Sequence, residues 1–248
     1  MIIKAEGIVI KTVPYGESNV IVTLFTREAG KIGVMARGAK KTKSRLSSVV
    51  QLFTYGMYVF QKGSGLGTLN QGEVLESFRS IREDLIKTSY SAYISELLDK
   101  VAEGNKKNPY LFEHFYQSLR FIDEGTDPEI ITLLFEMKML MIGGVKPQVS
   151  QCVQCGTQEG DFVFSVREGG FLCSRCMHQD PYHLKLSAGA VKILYLFSNL
   201  DISRLGNVSV KKETKKELRA VMDAYMEEYL GVFLKSKKFL NQLNQFEL

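Results

Sequence analysis

Hydrophobic residues in the first eighty positions alternate with polar ones or form short β-branched runs, which predicts strands rather than helices. Turn residues, glycine above all, separate these runs. The five predicted strands are Gly7–Val13, Val20–Thr26, Lys31–Arg37, Phe53–Gln61 and Thr68–Leu75. In the fourth of them, apolar residues recur at every second position, namely Phe53, Tyr55, Met57 and Val59. Five short strands within about 75 residues predict a small closed barrel.

The pattern changes to a helical period after residue 80. Ser80 and Glu83 stand at the spacing of a capping box, which predicts a helix N-terminus at Ser80. The other helix starts and helical stretches are Asn108-Pro109, Asp127-Pro128, Ser187–Leu200 and Lys211–Leu230. The sequence therefore predicts a barrel domain over residues 1–79 and a helical domain over residues 80–146 and 184–248.

Residues 147–183 form a module inserted in the helical domain, and they hold all four cysteines of the chain as C-x2-C, seventeen residues, C-x2-C. Two cysteines three positions apart place both sulfurs on one side of an ion, and two such pairs complete a tetrahedron of thiolates. Four thiolates leave no position open for water, so the pattern predicts one structural zinc ion. The predicted ligands are Cys152, Cys155, Cys173 and Cys176.

Two other interpretations of the cysteines stay open, namely four buried free thiols and a redox-active C-x-x-C. The paired spacing disfavours the first, and the lack of a βαβ pattern around the cysteines disfavours the second. His178 and His183 are surplus to a four-cysteine site, and we expect them at the surface or beside the ligands. We expect His114, on a helix, to be packed or solvated.

Positive charge is concentrated in the first third of the chain. Residues 1–80 carry a net charge of +6 and residues 81–248 a net charge of −1. Five cations, with no acidic residue among them, fall within nine positions, which we call the basic segment: Arg37, Lys40, Lys41, Lys43 and Arg45. Four of the five lie in the long connection Gly38–Leu52, and connections of this length are usually functional or mobile. A local cation excess predicts a polyanionic partner.

Aromatic residues lie on the strands around the basic segment. Single-stranded nucleic acid binds where Lys and Arg meet phosphates and rings stack on bases. The combination predicts a nucleic-acid interface, with the five cations of the basic segment as its binding residues. The alternative is a solvated loop beside rings that belong to the core. The rings in question are those of Tyr15, Phe25, Phe53, Tyr55, Tyr58 and Phe60.

Several classes of protein are disfavoured. The sequence contains no phosphate-binding loop and no nucleophile with a plausible base, so we expect no enzymatic activity. The longest apolar helical stretch, Ile130–Val145, is interrupted by Glu136 and Lys138, so we expect no membrane span. The N-terminus runs directly into a strand pattern, without the apolar region of a signal peptide. We therefore expect a cytoplasmic protein.

Four stretches near the N-terminus carry a recognisable pattern: Glu6–Lys11, Tyr15–Asn19, Thr26–Lys31 and Ala36–Arg45. They resemble the start of the bacterial RecO recombination mediators, and the helical region with its inserted cysteines resembles the rest of those proteins. The resemblance implies an α+β multidomain protein with an N-terminal OB-fold, followed by a helical domain that carries a zinc finger. Some family members lack the cysteines, whereas this chain has all four, so bound zinc is expected.

The resemblance also implies a non-enzymatic, nucleoid-associated role in homologous recombination and DNA repair. RecO proteins bind single- and double-stranded DNA and anneal complementary strands. With RecR, in the RecF pathway, they help RecA displace single-stranded-DNA-binding protein (SSB). They also contact the acidic C-terminal tail of SSB. No motif assigns residues of this chain to the RecR or SSB contacts.

Two other functions remain open from the residues alone. A zinc-containing RNA-binding accessory factor of the ribosome or of transcription would use a barrel, a basic loop and a zinc module equally well. An enzyme acting through the cysteines is the weakest alternative, because four thiolates around one ion leave no reactive thiol.

Overall fold

The alternating N-terminal segments form a closed barrel of five strands in the order β1-β2-β3-β5-β4. In the computed structural model, which describes residues 1–63, 65–104, 106–206 and 208–246, β4 returns to pair with β1, and β3 pairs with β5 in parallel. The strands are β1 (Ile2–Tyr15), β2 (Asn19–Thr26), β3 (Gly30–Ala36), β4 (Tyr55–Gln61) and β5 (Gly67–Glu76). This arrangement confirms the predicted OB-fold barrel.

The connection between β3 and β4 is a series of turns packed onto the barrel. Ala39, Val49 and Val50 are buried in the barrel core, and Leu46 packs against it. The Tyr58 hydroxyl donates a 2.9 Å hydrogen bond to the carbonyl of Val49. Sequence periodicity gives no indication of this packing, because the buried positions are irregularly spaced and sit among cations.

Three helices follow the barrel: α1 (Arg79–Glu83), α2 (Leu85–Val101) and α3 (Pro109–Asp123). The predicted helix start at Ser80 is wrong, because Ser80 lies inside the one-turn helix α1. Asp84 caps α2 instead, since its carboxylate accepts a 2.9 Å hydrogen bond from the Lys87 N–H. Glu83 pairs with Arg79 at 2.6 Å and so makes no capping box. The cap predicted from Asn108 and Pro109 is confirmed at α3.

The apolar residues that alternate along β4 lie on its outer face, which is the face next to α3. Tyr55, Met57 and Val59 are half-buried on the outer face, whereas Tyr58 and Phe60 fill the barrel. The outer face is apolar because α3 covers it in part, with the rings of Tyr55 and Tyr116 4.8 Å apart.

Arg27 secures the same contact between the barrel and α3. Its guanidinium lies 2.8 Å from a carboxylate oxygen of Glu6 and 2.9 Å from one of Glu113. It also lies over the ring of Phe112, 4.7 Å from the ring centre. Its polar and ring contacts therefore link β1 and β2 to α3.

The chain divides into two units by its internal contacts: Met1–Pro128 with Leu234–Leu248, and Glu129–Phe233. The second unit contains all of α4 (Pro128–Ile142) except its first residue, the sheet β7-β6-β8, α5 (Ala188–Asn199) and α6 (Lys212–Tyr229). The sheet strands are β6 (Phe162–Ser165), β7 (Gly170–Cys173) and β8 (Leu184–Lys185). The fully buried Glu136 of α4 is paired with Arg219 of α6 at 2.7 Å. The division into functional domains with boundaries after residues 79, 146 and 183 stays a prediction.

Among the described residues, no helix is both long enough and apolar enough to cross a membrane.

The first unit also contains α7 (Lys235–Phe246), a helix that the sequence pattern does not predict. Leu234 and Leu240 are buried where α7 meets α2. Its first N–H groups are satisfied from a distance: the Glu96 carboxylate accepts hydrogen bonds from the Ser236 N–H at 2.8 Å and the Lys235 N–H at 3.2 Å. A cap supplied 140 residues away along the chain leaves no local sequence signal.

We expect Glu96→Gln to lower the free energy of unfolding by about 1–2 kcal/mol, because the charge that faces the N-terminus of α7 is lost. The pKa of Glu96 is lowered from its ordinary value of 4.5; burial opposes the shift, but the hydrogen bonds from Ser236 and Lys235 outweigh it. A lowered folded-state pKa means that this contribution is complete above pH 4.5 and is lost as the pH falls through the folded value.

Urea denaturation at pH 7 and at acid pH measures both effects. Glu103→Gln is the matched control, because Glu103 is exposed and, among the described residues, its one ion pair is with the nearby Lys106. Equal destabilisation by the two substitutions at pH 7 would contradict the role of Glu96.

Candidate metal centre and nucleic-acid interface

The four cysteines come from two backbone turns in the second unit. The first turn holds Cys152 and Cys155 and closes on Gly156, whose N–H donates to the carbonyl of Cys152 at 2.9 Å. Gly156 has a φ of 72°, a conformation that glycine adopts without strain. In the second turn, the Cys176 N–H donates to the carbonyl of Cys173 at 2.9 Å. The hairpin of β6 and β7 joins the two turns, as the sequence predicts.

The sulfur atoms have the spacing of a tetrahedral zinc site. All four Sγ atoms lie within 4.8 Å of one another, and those of Cys155 and Cys173 are 3.7 Å apart. With Zn–S bonds of about 2.3 Å, the edge of a sulfur tetrahedron is about 3.8 Å long. The donor set and its spacing therefore fit Zn²⁺.

The electrostatics of the cluster favour a bound cation. Burial works against ionisation of Cys152, but N–H groups of Cys155, Cys173 and Gln154 aim at its sulfur and lower the pKa of its thiol to about 6. Burial and the neighbouring sulfurs raise the pKa of Cys176 to about 12. Four thiolates cannot coexist this closely without a positive charge between them, and a divalent metal ion would supply that charge.

Neither nearby histidine belongs to the cluster, as the sequence predicts. His183 Nδ1 lies 2.7 Å from the carbonyl oxygen of Asp180, and His178 is exposed beside Gln179. Among the described residues, the metal-ligating group contains cysteines alone. His114, on α3, is packed in the interior.

Arg175 is a site residue that sequence reasoning missed. Its guanidinium lies 4.0 Å from the sulfur of Cys155, and hydrogen bonding to Cys173 together with the charge of Cys155 raises its pKa. A cation between two cysteines is the signal that could have revealed it. Its charge offsets part of the negative charge of a four-thiolate site.

The basic segment lies on the barrel of the first unit, in the turns that follow β3. All five of its cations are exposed. None of the five forms an ion pair with another residue in the part of the chain that the structure describes. The buried Ala39, Val49 and Val50 hold the backbone of the connection, so the charges project from an anchored surface.

Three other cations of the barrel pair with carboxylates, which leaves more of the free charge in the basic segment. Lys31 and Lys11 both pair with Asp99 of α2, at 3.2 and 3.5 Å. Arg27 is paired with Glu6 and Glu113, as described above. The charge available to a polyanion is therefore more localised than the sequence count indicates.

Most of the aromatic residues considered as stacking platforms belong to the core. Phe25, Phe53, Tyr58 and Phe60 are fully buried, and the Tyr55 hydroxyl donates to a carboxylate oxygen of Glu6 at 3.0 Å while its ring packs on α3. Sequence alone cannot distinguish rings buried in the core from rings exposed for stacking, because both faces of the strands carry rings. Tyr15 differs from the other five, with 55% of its surface exposed.

Comparison with known protein families covers both parts of the chain. Residues 1–78 match the family described as Recombination protein O N terminal. Residues 82–238 match the family described as Recombination protein O C terminal. The chain belongs to the RecO family.

Curated RecO relatives align with this chain over almost their whole length. A protein from Bacillus pumilus is 57% identical over 247 residues, which cover 100% of this chain and 96% of the relative. One from Bacillus subtilis is 55% identical over 247 residues, 100% of this chain and 97% of the relative. One from Halalkalibacterium halodurans is 53% identical over 240 residues, 97% of this chain and 94% of the relative. Each is named DNA repair protein RecO.

Proposed function

We propose that the protein is a DNA repair and recombination mediator of the bacterial cytoplasm, associated with the nucleoid, that binds single- and double-stranded DNA and anneals complementary strands. With RecR, it would help load RecA onto SSB-coated single strands in the RecF pathway, and it would contact the SSB C-terminal tail. The proposal assigns the protein no chemical step. Membership of the RecO family, whose relatives are named as DNA repair proteins, supports it.

The observation that carries the DNA-binding part is the anchored, unpaired basic segment. Cations that already pair with carboxylates gain little from phosphates, whereas exposed unpaired ones release counterions from DNA when they bind. The barrel supplies a rigid base, because Ala39, Val49 and Val50 fix the backbone that carries Arg37, Lys40 and the other cations of the segment.

Annealing follows from the same charges. Two complementary strands repel each other through their phosphates, and a protein that neutralises some of these charges lowers the barrier to their encounter. Contacts to the backbone leave the base edges free to pair. Such a protein needs affinity and access to the bases, not a reactive group.

In this proposal the metal has a structural role. Cys152, Cys155, Cys173 and Cys176 would hold one zinc ion, which supplies a cross-link between the two turns of the module. The hairpin between the turns is packed with aromatic side chains: the rings of Phe162 and Phe171 are stacked 5.3 Å apart. The metal and this packing together would fix the module.

The purified chain should accelerate annealing of complementary oligonucleotides by at least about tenfold over the protein-free rate, because electrostatic attraction raises encounter rates by that order or more. Loss of fluorescence from a donor–quencher strand pair measures the rate. Matched RNA strands serve as the comparison. No acceleration with either nucleic acid would contradict the proposal, and a clear preference for RNA would favour the accessory-factor alternative.

A further inference from the structure

We propose that Tyr15 is a base-stacking residue of the nucleic-acid interface and gives the barrel its preference for unpaired bases. The inference rests on the proposed DNA binding and deepens it, because phosphate contacts alone do not distinguish single strands from duplexes.

The turn between β1 and β2 brings Tyr15 to the same end of the barrel as the basic segment. Tyr15 is the last residue of β1 and lies opposite Asn19. The side-chain oxygen of Asn19 accepts a 2.8 Å hydrogen bond from the Gly38 N–H. The carbonyl of Ser18 accepts a 3.0 Å hydrogen bond from the Lys40 N–H. Two hydrogen bonds therefore tie the turn that follows Tyr15 to the segment that carries the cations.

The end of β1 holds Tyr15 in a hairpin with β2, beyond the part of β1 that pairs with β4. β1 pairs with β4 only as far as Ile8, and beyond an irregularity near Ile10 it pairs with β2 alone. Gly16 continues the turn with a φ of 60°. The ring of Tyr15 is thus set on ordered backbone while more than half of its surface faces water. Because the backbone is already ordered, only rotation of the side chain has to be restricted when a base stacks on the ring.

Exposure alone does not identify a stacking residue, as Tyr182 shows. Tyr182 is 89% exposed, more than Tyr15. It lies in the cysteine module, where Arg167 is paired with Glu168 at 2.9 Å and Arg175 faces the sulfur of Cys155. Among the described residues, Lys185 lies three positions from Tyr182 and is exposed without an ion pair, whereas the basic segment holds five such cations close together. Tyr182 is therefore the matched control.

The consequence is selectivity for strand state. In a duplex, each base is already stacked on its neighbours and is unavailable to a ring at the surface. In a single strand, bases can turn onto an aromatic side chain, and each such contact contributes measurably to affinity. The basic segment should therefore bind both forms, and Tyr15 should add affinity for the single strand alone.

The chain contains no tryptophan, so Tyr15→Trp introduces a single indole at the proposed contact. We expect a single-stranded oligothymidine to quench its emission, because base stacking on indole is an efficient route for quenching. A duplex of equal length should quench it far less. Tyr182→Trp should respond to neither oligonucleotide.

Affinity measurements test the same point without a reporter. Tyr15→Ala should weaken binding to the single-stranded oligothymidine by about 5- to 150-fold. Duplex affinity and the salt dependence of binding should stay unchanged, and Tyr15→Phe should retain wild-type affinity. Tyr182→Ala should bind like wild type. Circular dichroism confirms that each variant keeps its barrel.

The outcomes separate this inference from the function on which it rests. Wild-type single-strand affinity in Tyr15→Ala, or equal losses for single strand and duplex, would overturn the assignment of Tyr15 while leaving DNA binding intact. Absence of DNA binding by the wild-type chain would overturn the proposed function itself. An equal response at Tyr15 and Tyr182 would overturn the claim that proximity to the basic segment selects the stacking ring.

Discussion

The salt dependence of single-stranded DNA binding is expected to flatten by up to about 3 in log–log slope when Lys40, Lys41, Lys43 and Arg45 are all changed to Gln. Each phosphate neutralised on a single strand contributes about 0.7 to that slope, so four contacts contribute just under 3. The affinity lost is on the order of a hundredfold or more at 0.1 M salt and shrinks as salt is raised. Fluorescence anisotropy across a salt series measures both quantities.

The fold should survive this change, because the four side chains are exposed and make no ion pair among the described residues. The anchors Ala39, Val49 and Val50 are untouched. Thermal unfolding should therefore match wild type within about 0.5 kcal/mol per site, as is usual for surface substitutions. A loss of binding in a stable variant can then be attributed to the missing charges.

A control variant removes the same number and kind of charges elsewhere. The residues are exposed cations of the second unit, three lysines and one arginine: Lys211, Lys212, Lys216 and Arg204. We expect its salt slope to stay close to that of wild type. A control that flattens the slope as much as the basic-segment variant would show that net charge, not position, drives binding. An unchanged slope in the basic-segment variant would mean that DNA does not bind at the end of the barrel where the basic segment lies.

The sequence predicts best those features that depend on short-range periodicity. In β3, the apolar residues Ile32, Val34 and Ala36 fall on one face, and the barrel buries that face. In β4, alternation identifies the strand but not the face that points into the barrel, because both faces are apolar and one contacts α3. Alternation identifies a strand, whereas contacts distant in sequence decide which face is buried.

Features that depend on distant partners could not be predicted. The cap of α7 comes from Glu96 of α2, and the capping-box pattern at Ser80 is overridden by the cap that Asp84 provides four residues later. Composition alone identifies the basic segment, whereas its anchoring through Val49 and Val50 is visible only in the folded barrel. The cysteine cluster was predicted in full, because its chemistry fixes its spacing and the spacing is local in each pair.

Loss of one zinc ligand is expected to have the largest effect on stability. We expect Cys152→Ser or Cys173→Ser to lower the free energy of unfolding of the second unit by more than about 4 kcal/mol, because loss of a structural metal belongs to the few changes of that size. Metal analysis should give about one zinc per wild-type chain and less than one-tenth of that in either variant. Both cysteines are buried. A serine hydroxyl in place of either thiolate would also lack the charge that the site requires.

Ser174→Ala separates loss of the metal from disturbance of the turn. Ser174 lies between the cysteines of the second pair and is exposed, and it belongs to no metal-ligating group among the described residues. Its variant should keep both zinc and stability. A chelator added to wild type should reproduce the effect of the cysteine variants, since binding free energy at such a site is also folding free energy. A wild-type chain that is fully stable, contains no metal and has four alkylatable thiols would refute the zinc site. Full stability after zinc removal would instead refute its structural role.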